Sequence, residues 1–254
     1  MKKIVPVALV PLLLSACVVH VNASSPEPTH QESQQLFVSG SGIKTLSVES
    51  QAGNLRIIGK AGQSQIDVSA KLYYQDKSQV QLSLESKGDH AMLMAKTDGK
   101  CFGICTGESP RIDLEVTVPA SLLLDLDDGS GNISISGMTA DIDLEDGSGD
   151  IQLHGGASVK IEDGSGGIQI SNLTGSLIIT DGSGSIEVQQ VAGDVAINDG
   201  SGEINLRNVG GTVRISDGSG SISVQQAGSF ILEQDGSGEV EIKDIKGEVK
   251  LNKD

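Results

Sequence analysis

The sequence predicts an all-β fold: a two-sheet parallel β-solenoid (β-helix) of 18-residue coils, preceded by irregular β-rich coils. Three observations carry this expectation. The tetrapeptide Asp-Gly-Ser-Gly occurs seven times, beginning at Asp128, Asp146, Asp163, Asp181, Asp199, Asp217 and Asp235, at intervals of 18, 17, 18, 18, 18 and 18 residues. A turn signal this regular marks one structural unit stacked on copies of itself. Between the turns aliphatic and polar residues alternate with period two, as in strands buried on one face. Aromatic residues are scarce, with three Phe, two Tyr and no Trp, so the core must be a thin layer of Ile, Val and Leu.

Residues 1–16 read as a lipoprotein signal peptide rather than as part of the fold. Lys2 and Lys3 form a charged start, and the apolar stretch from Ile4 to Leu14 is too short to span a bilayer. The segment Leu14-Ser15-Ala16-Cys17 is similar to a bacterial lipobox, which implies that Cys17 becomes the lipidated first residue of the mature chain. The plainer alternative is an ordinary signal peptide with an incidental cysteine. Lipid on Cys17 would anchor the protein to a membrane of the cell envelope. Val18, not Asp, follows the cysteine; in a Gram-negative cell the resemblance then implies the outer membrane. Residues 17–35 hold Pro26, Pro28 and many Ser, Asn and Gln, and read as the lipidated Cys and a flexible tether.

Residues 36–120 form an irregular β-rich part. Alternation is visible at 43–49, 54–58, 65–73, 80–85, 91–96 and 112–118. Degenerate coils of the same solenoid and a small β-sandwich both fit. The rhythm of Gly53-Asn54-Leu55-Arg56-Ile57, repeated in Gly131-Asn132-Ile133-Ser134-Ile135, favours coils. Cys101 and Cys105 are separated by Phe102-Gly103-Ile104; in an oxidising compartment the expectation is a short-loop disulfide. A metal site would need two more ligands, and only His90 is near in sequence. A redox role more often uses a two-residue spacer.

Residues 121–254 are read as the solenoid repeats with a C-terminal cap coil. In residues 181–198, Ile186 and Val188 alternate with polar residues, and so do Val195 and Ile197. Each coil is therefore strand, turn around Gly193, strand, turn at Asp-Gly-Ser-Gly. The next coils keep the phase with Ile204/Leu206 and Val213/Ile215, and the preceding one with Ile168/Ile170 and Leu177/Ile179. Met138, Leu173, Val191 and Val209 each add an apolar residue at the glycine corner. Three-sided helices of the same coil length show hexapeptide periodicity, which is missing. In Phe230-Ile231-Leu232-Glu233-Gln234 the alternation places Glu233 where neighbouring coils have Ile or Val. A one-residue bulge bringing Phe230 and Leu232 inward would repair it. Residues 239–254 carry Lys243, Lys246, Lys250 and Lys253, and lysines on an open strand edge discourage edge-to-edge association.

The formal net charge is −16, and residues 125–254 hold 23 acids against 7 bases. This excludes nucleic acid and anionic lipid as partners of that surface, and leaves divalent cations, basic proteins or solubility alone. For the aspartate series two readings stand. In one, each carboxylate accepts backbone N–H bonds within its own turn while the glycines supply positive φ. In the other, carboxylates repeated along an acidic edge hold calcium, at Asp128, Asp146, Asp163, Asp181, Asp199, Asp217 and Asp235. The calcium-binding nonapeptide β-roll also has 18 residues per coil but carries its turn twice per coil with Asp after the glycines, so its coordination scheme does not transfer. No cofactor is required by the sequence, and calcium is the one candidate.

The run Arg111-Ile112-Asp113-Leu114-Glu115-Val116-Thr117-Val118-Pro119, followed by an aliphatic strand and Gly-Ser-Gly-x-Ile coils, resembles the bacterial "putative adhesin" family of β-strand-repeat domains of unknown function over roughly residues 40–254. The resemblance implies a β-solenoid envelope protein, often lipid-anchored or secreted, with no catalytic residues to carry over. The residues agree: the four histidines are scattered, no Gly-x-Ser-x-Gly elbow occurs, and a repeat supplies identical sites where catalysis needs a unique constellation. The expectation is a non-enzymatic adhesion or binding module whose partner is an unidentified protein or envelope component. A structural or stress-related component with no ligand of its own is the first alternative, and a polysaccharide-active enzyme the second.

Overall fold

The computed structural model describes residues 30–98 and 109–252. Cys17, Cys101 and Cys105, and with them the expected signal peptide, lipid anchor and disulfide, lie outside the described residues. In chain order the first strands are β1 (His30–Ser39), β2 (Thr45–Ser50), β3 (Leu55–Lys60), β4 (Gln65–Tyr74), β5 (Val80–Lys87), β6 (His90–Thr97) and β7 (Arg111–Pro119). The repeats follow as β8 (Leu123–Asp128), β9 (Ile133–Ser136), β10 (Ile142–Asp146), β11 (Ile151–His154), β12 (Val159–Asp163), β13 (Ile168–Leu173) and β14 (Leu177–Asp181). The last are β15 (Ile186–Val191), β16 (Val195–Asp199), β17 (Ile204–Asp217), β18 (Ile222–Asp235), β19 (Val240–Lys243) and β20 (Val249–Leu251). Among the described residues the only helical turn is a 3-10 turn at Lys77–Gln79.

The repeats wind as expected. β8, β10, β12, β14 and β16 pair in parallel, continuing into the second half of β17, the second half of β18, and β20. β9, β11, β13 and β15 form the facing ladder, continuing into the first halves of β17 and β18 and then β19. Two layers of parallel strands thus enclose a thin core, because each coil offers two inward aliphatic residues per sheet and at most one more at the corner. That core is chiefly Ile, Leu and Val, with Met138 and Ala227 at two corners and Phe230 the one fully buried ring among the described residues.

The interval of 17 residues is absorbed at the glycine corner. His154-Gly155-Gly156-Ala157 there lacks the inward aliphatic residue supplied elsewhere by Leu173 or Val191, and Gly156 occupies the space. The bulge expected near Glu233 is present. Ile215 pairs with Leu232 but Ser216 pairs with Gln234, so Glu233 is the extra residue, and Phe230 and Leu232 are buried. The structure also shows why a bulge is needed. Val209 pairs with Ala227 and Thr212 with Ser229, so the preceding corner is one residue short and the bulge restores the register.

The front of the chain belongs to the same solenoid, in an order the chain does not follow. β2 and β3 stack in parallel on β8 and β9, placing Asn54-Leu55 over Asn132-Ile133 as the shared rhythm suggested. β6 and β7 stack on the other side of β2 and β3. The coil at 45–60 is therefore sandwiched between a later coil and the first repeat. Antiparallel strands cover the outer side: β5 on β6, β4 on β7, and β1 on β4. Glu32 ties β1 down, bonded by Lys77, by Gln34 at 2.8 Å and by Tyr74 Oη at 2.8 Å. These partners, Lys77 first, pull its carboxyl down to about 2.

Candidate functional site

Two arrangements stand out, one inside the solenoid and one on its surface. Inside, the first residue of each Asp-Gly-Ser-Gly is the last residue of a strand, and in the first six its side chain follows the alternation inward. Ile142, Leu144 and Asp146 share one face of β10, and Val159, Ile161 and Asp163 share one face of β12. Asp128, Asp146, Asp163, Asp181, Asp199 and Asp217 are all buried, at most 7% exposed. They pair coil to coil in unbroken register, with Ser50 of β2 next to Asp128 at one end and the exposed Asp235 next to Asp217 at the other.

Each turn is built around that inward carboxylate. Oδ1 of Asp146, Asp163, Asp181, Asp199 and Asp217 accepts the backbone N–H of the serine two residues on, at 3.1 to 3.2 Å. The chain then turns through a glycine of positive φ, +146° at Gly166, and packs against the coil before it. A Cβ at Gly166 would lie 1.8 Å from the Gly149 carbonyl oxygen, and one at Gly164 would lie 2.5 Å from that of Gly147. Both glycines are therefore demanded by the spacing of coils, about 4.8 Å apart. The turn-forming reading of the aspartate holds in these five turns.

The other carboxylate oxygen is left over. Oδ2 of Asp146, Asp163, Asp181, Asp199 and Asp217 is buried without a protein partner. Burial pushes Asp146 up to about 7, with the Asp128 and Asp163 carboxylates adding to the shift. It pushes Asp181 up to about 6, with Asp163 and Asp199 adding, and it pushes Asp128, both of whose carboxylate oxygens are buried without a protein partner, to about 6, with Asp127 adding. Asp163, Asp199 and Asp217 are also raised by burial, against the pull of their serine amides. Two charges about 5 Å apart repel by about 3 kcal/mol at an effective dielectric of about 20. A neutral hydrogen bond contributes about 1 kcal/mol, so ionisation of every member would oppose the stacking that the turns produce.

The structure thus places most of the aspartates of the calcium reading inside the protein rather than along an outer edge. Six of the seven carboxylates point into the protein, and five have one oxygen bonded by an amide. Among the described residues no three His, Cys, Asp or Glu side chains come together as a metal site. The signal for the inward orientation was present in the sequence, since Asp146 lies two residues after Leu144. The general preference of carboxylates for solvent hid it.

On the surface, the outward residues of β8, β10 and β12 form two register columns. Asp125, Asp143 and Lys160 make one, and Asp127, Glu145 and Glu162 the other. Five carboxylates thus share one flat face with a single ammonium, which reaches Glu162 at 2.6 Å and Asp143 at 3.6 Å. Ser47 Oγ donates to Asp125 at 2.8 Å. Beyond this patch the same columns turn neutral at Ile178 and Thr180, then basic at Arg214. Leu123 and Ile178, 41% and 51% exposed, flank the acids in a shallow groove also lined by Asp141.

The opposite face carries Ser134, Gln152, Gln169 and Gln189 with His154. His154 Nδ1 lies 3.0 Å from Ser171 Oγ and 3.1 Å from Asn172 Nδ2, a surface tie between coils made by an exposed strand residue. The second corner depends on a left-handed glycine in the first two repeat coils, Gly137 and Gly155, and in the later five on residues that are not glycine, Asn172, Gln190, Asn208, Gln226 and Asp244, at φ between 56° and 62°. They turn the next residue inward in four coils, where Leu173, Val191, Val209 and Ala227 are buried. Asn at two of them signals such a turn; Gln does not.

The chain is similar to several solved structures. One is called a "putative lipid binding protein", from Parabacteroides distasonis, at 16% identity and TM-score 0.47, covering 87% of this chain and 97% of that one. A second is called a "putative adhesin", from Bacteroides fragilis, at 14% identity and TM-score 0.38, covering 87% and 97%. A third is called a "putative cell adhesion protein", from Clostridium sporogenes, at 14% identity and TM-score 0.34, covering 87% and 98%. A comparison with curated proteins gave no match. The model of the Toastrack DUF4097 family matches residues 109–252, more than half of the chain, and the chain belongs to that family.

Proposed function

We propose that this protein is a non-enzymatic binding module of the cell envelope, anchored by lipid on Cys17, whose acidic sheet face takes a basic partner protein. The observation that carries the reading is the outer face of β8, β10 and β12. There Asp125, Asp127, Asp143, Glu145 and Glu162 stand in register with only Lys160 among them, beside the exposed Leu123 and Ile178. A rigid sheet presents these groups at fixed spacing, so little is lost in ordering them on contact. Apolar side chains beside a charged patch suit a protein segment that is cationic and partly apolar. The anchor rests on the lipobox-like Leu14-Ser15-Ala16-Cys17, and in a Gram-negative cell it places the protein at the outer membrane.

Crosslinking in intact cells tests the reading. A binding module retains a partner, and raised salt in the wash before crosslinking lowers the yield, because exposed charge pairs are screened. A chain that acts only as a structural envelope component yields no crosslinked partner at any salt concentration. Cys17→Ala separates the anchor from the binding: it releases the protein from membranes and leaves the face intact.

A further inference from the structure

The interior column has a consequence independent of any partner. Six carboxyl groups lie one above another, buried, with register unbroken even where a coil is one residue short. In five of them one oxygen is bonded and the other has no protein partner. No ion pair reaches any of them among the described residues. What faces each group is its own kind: the aspartates above and below, with Asp127 beside Asp128, Asp235 beyond Asp217, and the Ser50 hydroxyl at the other end. After each turn the next inward residue is Ile133, Ile151, Ile168, Ile186, Ile204 or Ile222, which offers neither charge nor hydrogen bond.

A buried carboxyl with an orphaned oxygen and carboxyl neighbours is stabilised by keeping its proton, since the neutral group costs less to bury and does not repel the next coil. We propose that the aspartate column is a proton-holding spine: part of it stays protonated at neutral pH, and alkali strips those protons into solvent and loosens the stack. The solenoid is thereby favoured by acid, the opposite of a protein whose carboxylates are paired.

An unfolded aspartate ionises near about 3.9. A column member binds its proton more tightly when folded, so its contribution to stability is complete below that value. The contribution is lost as pH rises through the folded range, about 6 to 7 for Asp128, Asp181 and Asp146. Exposed carboxylates finish titrating below about pH 5.5, so the interval from about pH 5.5 to about pH 8.5 isolates the column from them. The histidines are the same in wild type and in the variant below, so they do not enter the comparison.

The test compares the full chain with the double variant Asp146→Asn and Asp181→Asn, in which the amide oxygen keeps each turn bond and no charge can form. The urea midpoint of the wild type should fall between about pH 5.5 and about pH 8.5. The midpoint of the variant should fall less and exceed the wild type at the higher pH. Equal pH dependence in the two proteins overturns the proposal. Infrared spectroscopy decides without any variant. At about pH 7 the wild type should show the C=O stretch of a protonated carboxyl group, which alkali removes. Absence of that band at neutral pH overturns the proposal even if the variant fails to fold.

Discussion

Asp146 and Asp163 lie opposite one another in register on β10 and β12, both buried, each with one carboxylate oxygen bonded by the serine amide two residues ahead and the other without a protein partner. The pairing follows from two local demands. The corner needs an acceptor for the serine N–H, and the alternation of the strand decides which way that acceptor points. Repeating the corner therefore stacks carboxyl on carboxyl. Several outcomes can be measured.

Glycine at the fourth position of the turn is required by both conformation and space. Gly166→Ala should cost more than about 3 kcal/mol, since its φ is +146° and the new Cβ would meet the Gly149 carbonyl oxygen at 1.8 Å. Gly42→Ala, at φ +83° with nothing within 4 Å, should cost about 1 to 2 kcal/mol. Urea midpoints of the two variants measure the difference.

Glu233 is an inserted residue, so its loss should be tolerated. Deleting it places Gln234 directly opposite Ser216 and leaves Asp235 opposite Asp217, the pairing the bulge already produces. The midpoint should stay within about 0.5 kcal/mol of wild type or rise. Deleting Glu162 instead would throw Asp163 onto the outer face and should cost about 2 kcal/mol or more.

Phe230 fills the last part of the core with the one fully buried ring among the described residues. Phe230→Ala should cost about 3 to 5 kcal/mol, and Phe230→Leu clearly less, because most of the volume remains. Thermal melts of both variants check the order.

Calcium should leave the fold unmoved. Six of the seven turn aspartates are inward, and no three possible ligands gather among the described residues. Melting temperatures with millimolar calcium and with chelator should coincide.

Much of this architecture was legible in the sequence because the repeat states it many times. Ile186/Val188 and Val195/Ile197 give the two strands of a coil, and the misplaced Glu233 gives the bulge. Gly53-Asn54-Leu55 gives the first coil of the front part. The order of coils was not legible: β6 and β7 stack outside β2 and β3 although they follow them in the chain, and nothing local records which neighbour a parallel strand takes. The left-handed Gln190 and Gln226 carry no turn signal of their own; stacking on Asn172 and Asn208 imposes their conformation. The candidate site divided in the same way. Its acidity could be counted from composition, but which carboxylates face water depended on strand phase, and phase turned the most conspicuous aspartates inward while leaving Asp127 and Glu145 exposed.

The measurement closest to the central claim is partner capture by a protein whose outer face has lost its charge. Asp127→Ser, Glu145→Ser and Glu162→Ser, combined, neutralise one register column and leave the interior aspartates and the turns untouched. Crosslinking in intact cells should lose the salt-sensitive partner in this variant while melting stays close to wild type. Capture at the wild-type yield by the folded triple variant would contradict the assignment of that face as the binding surface.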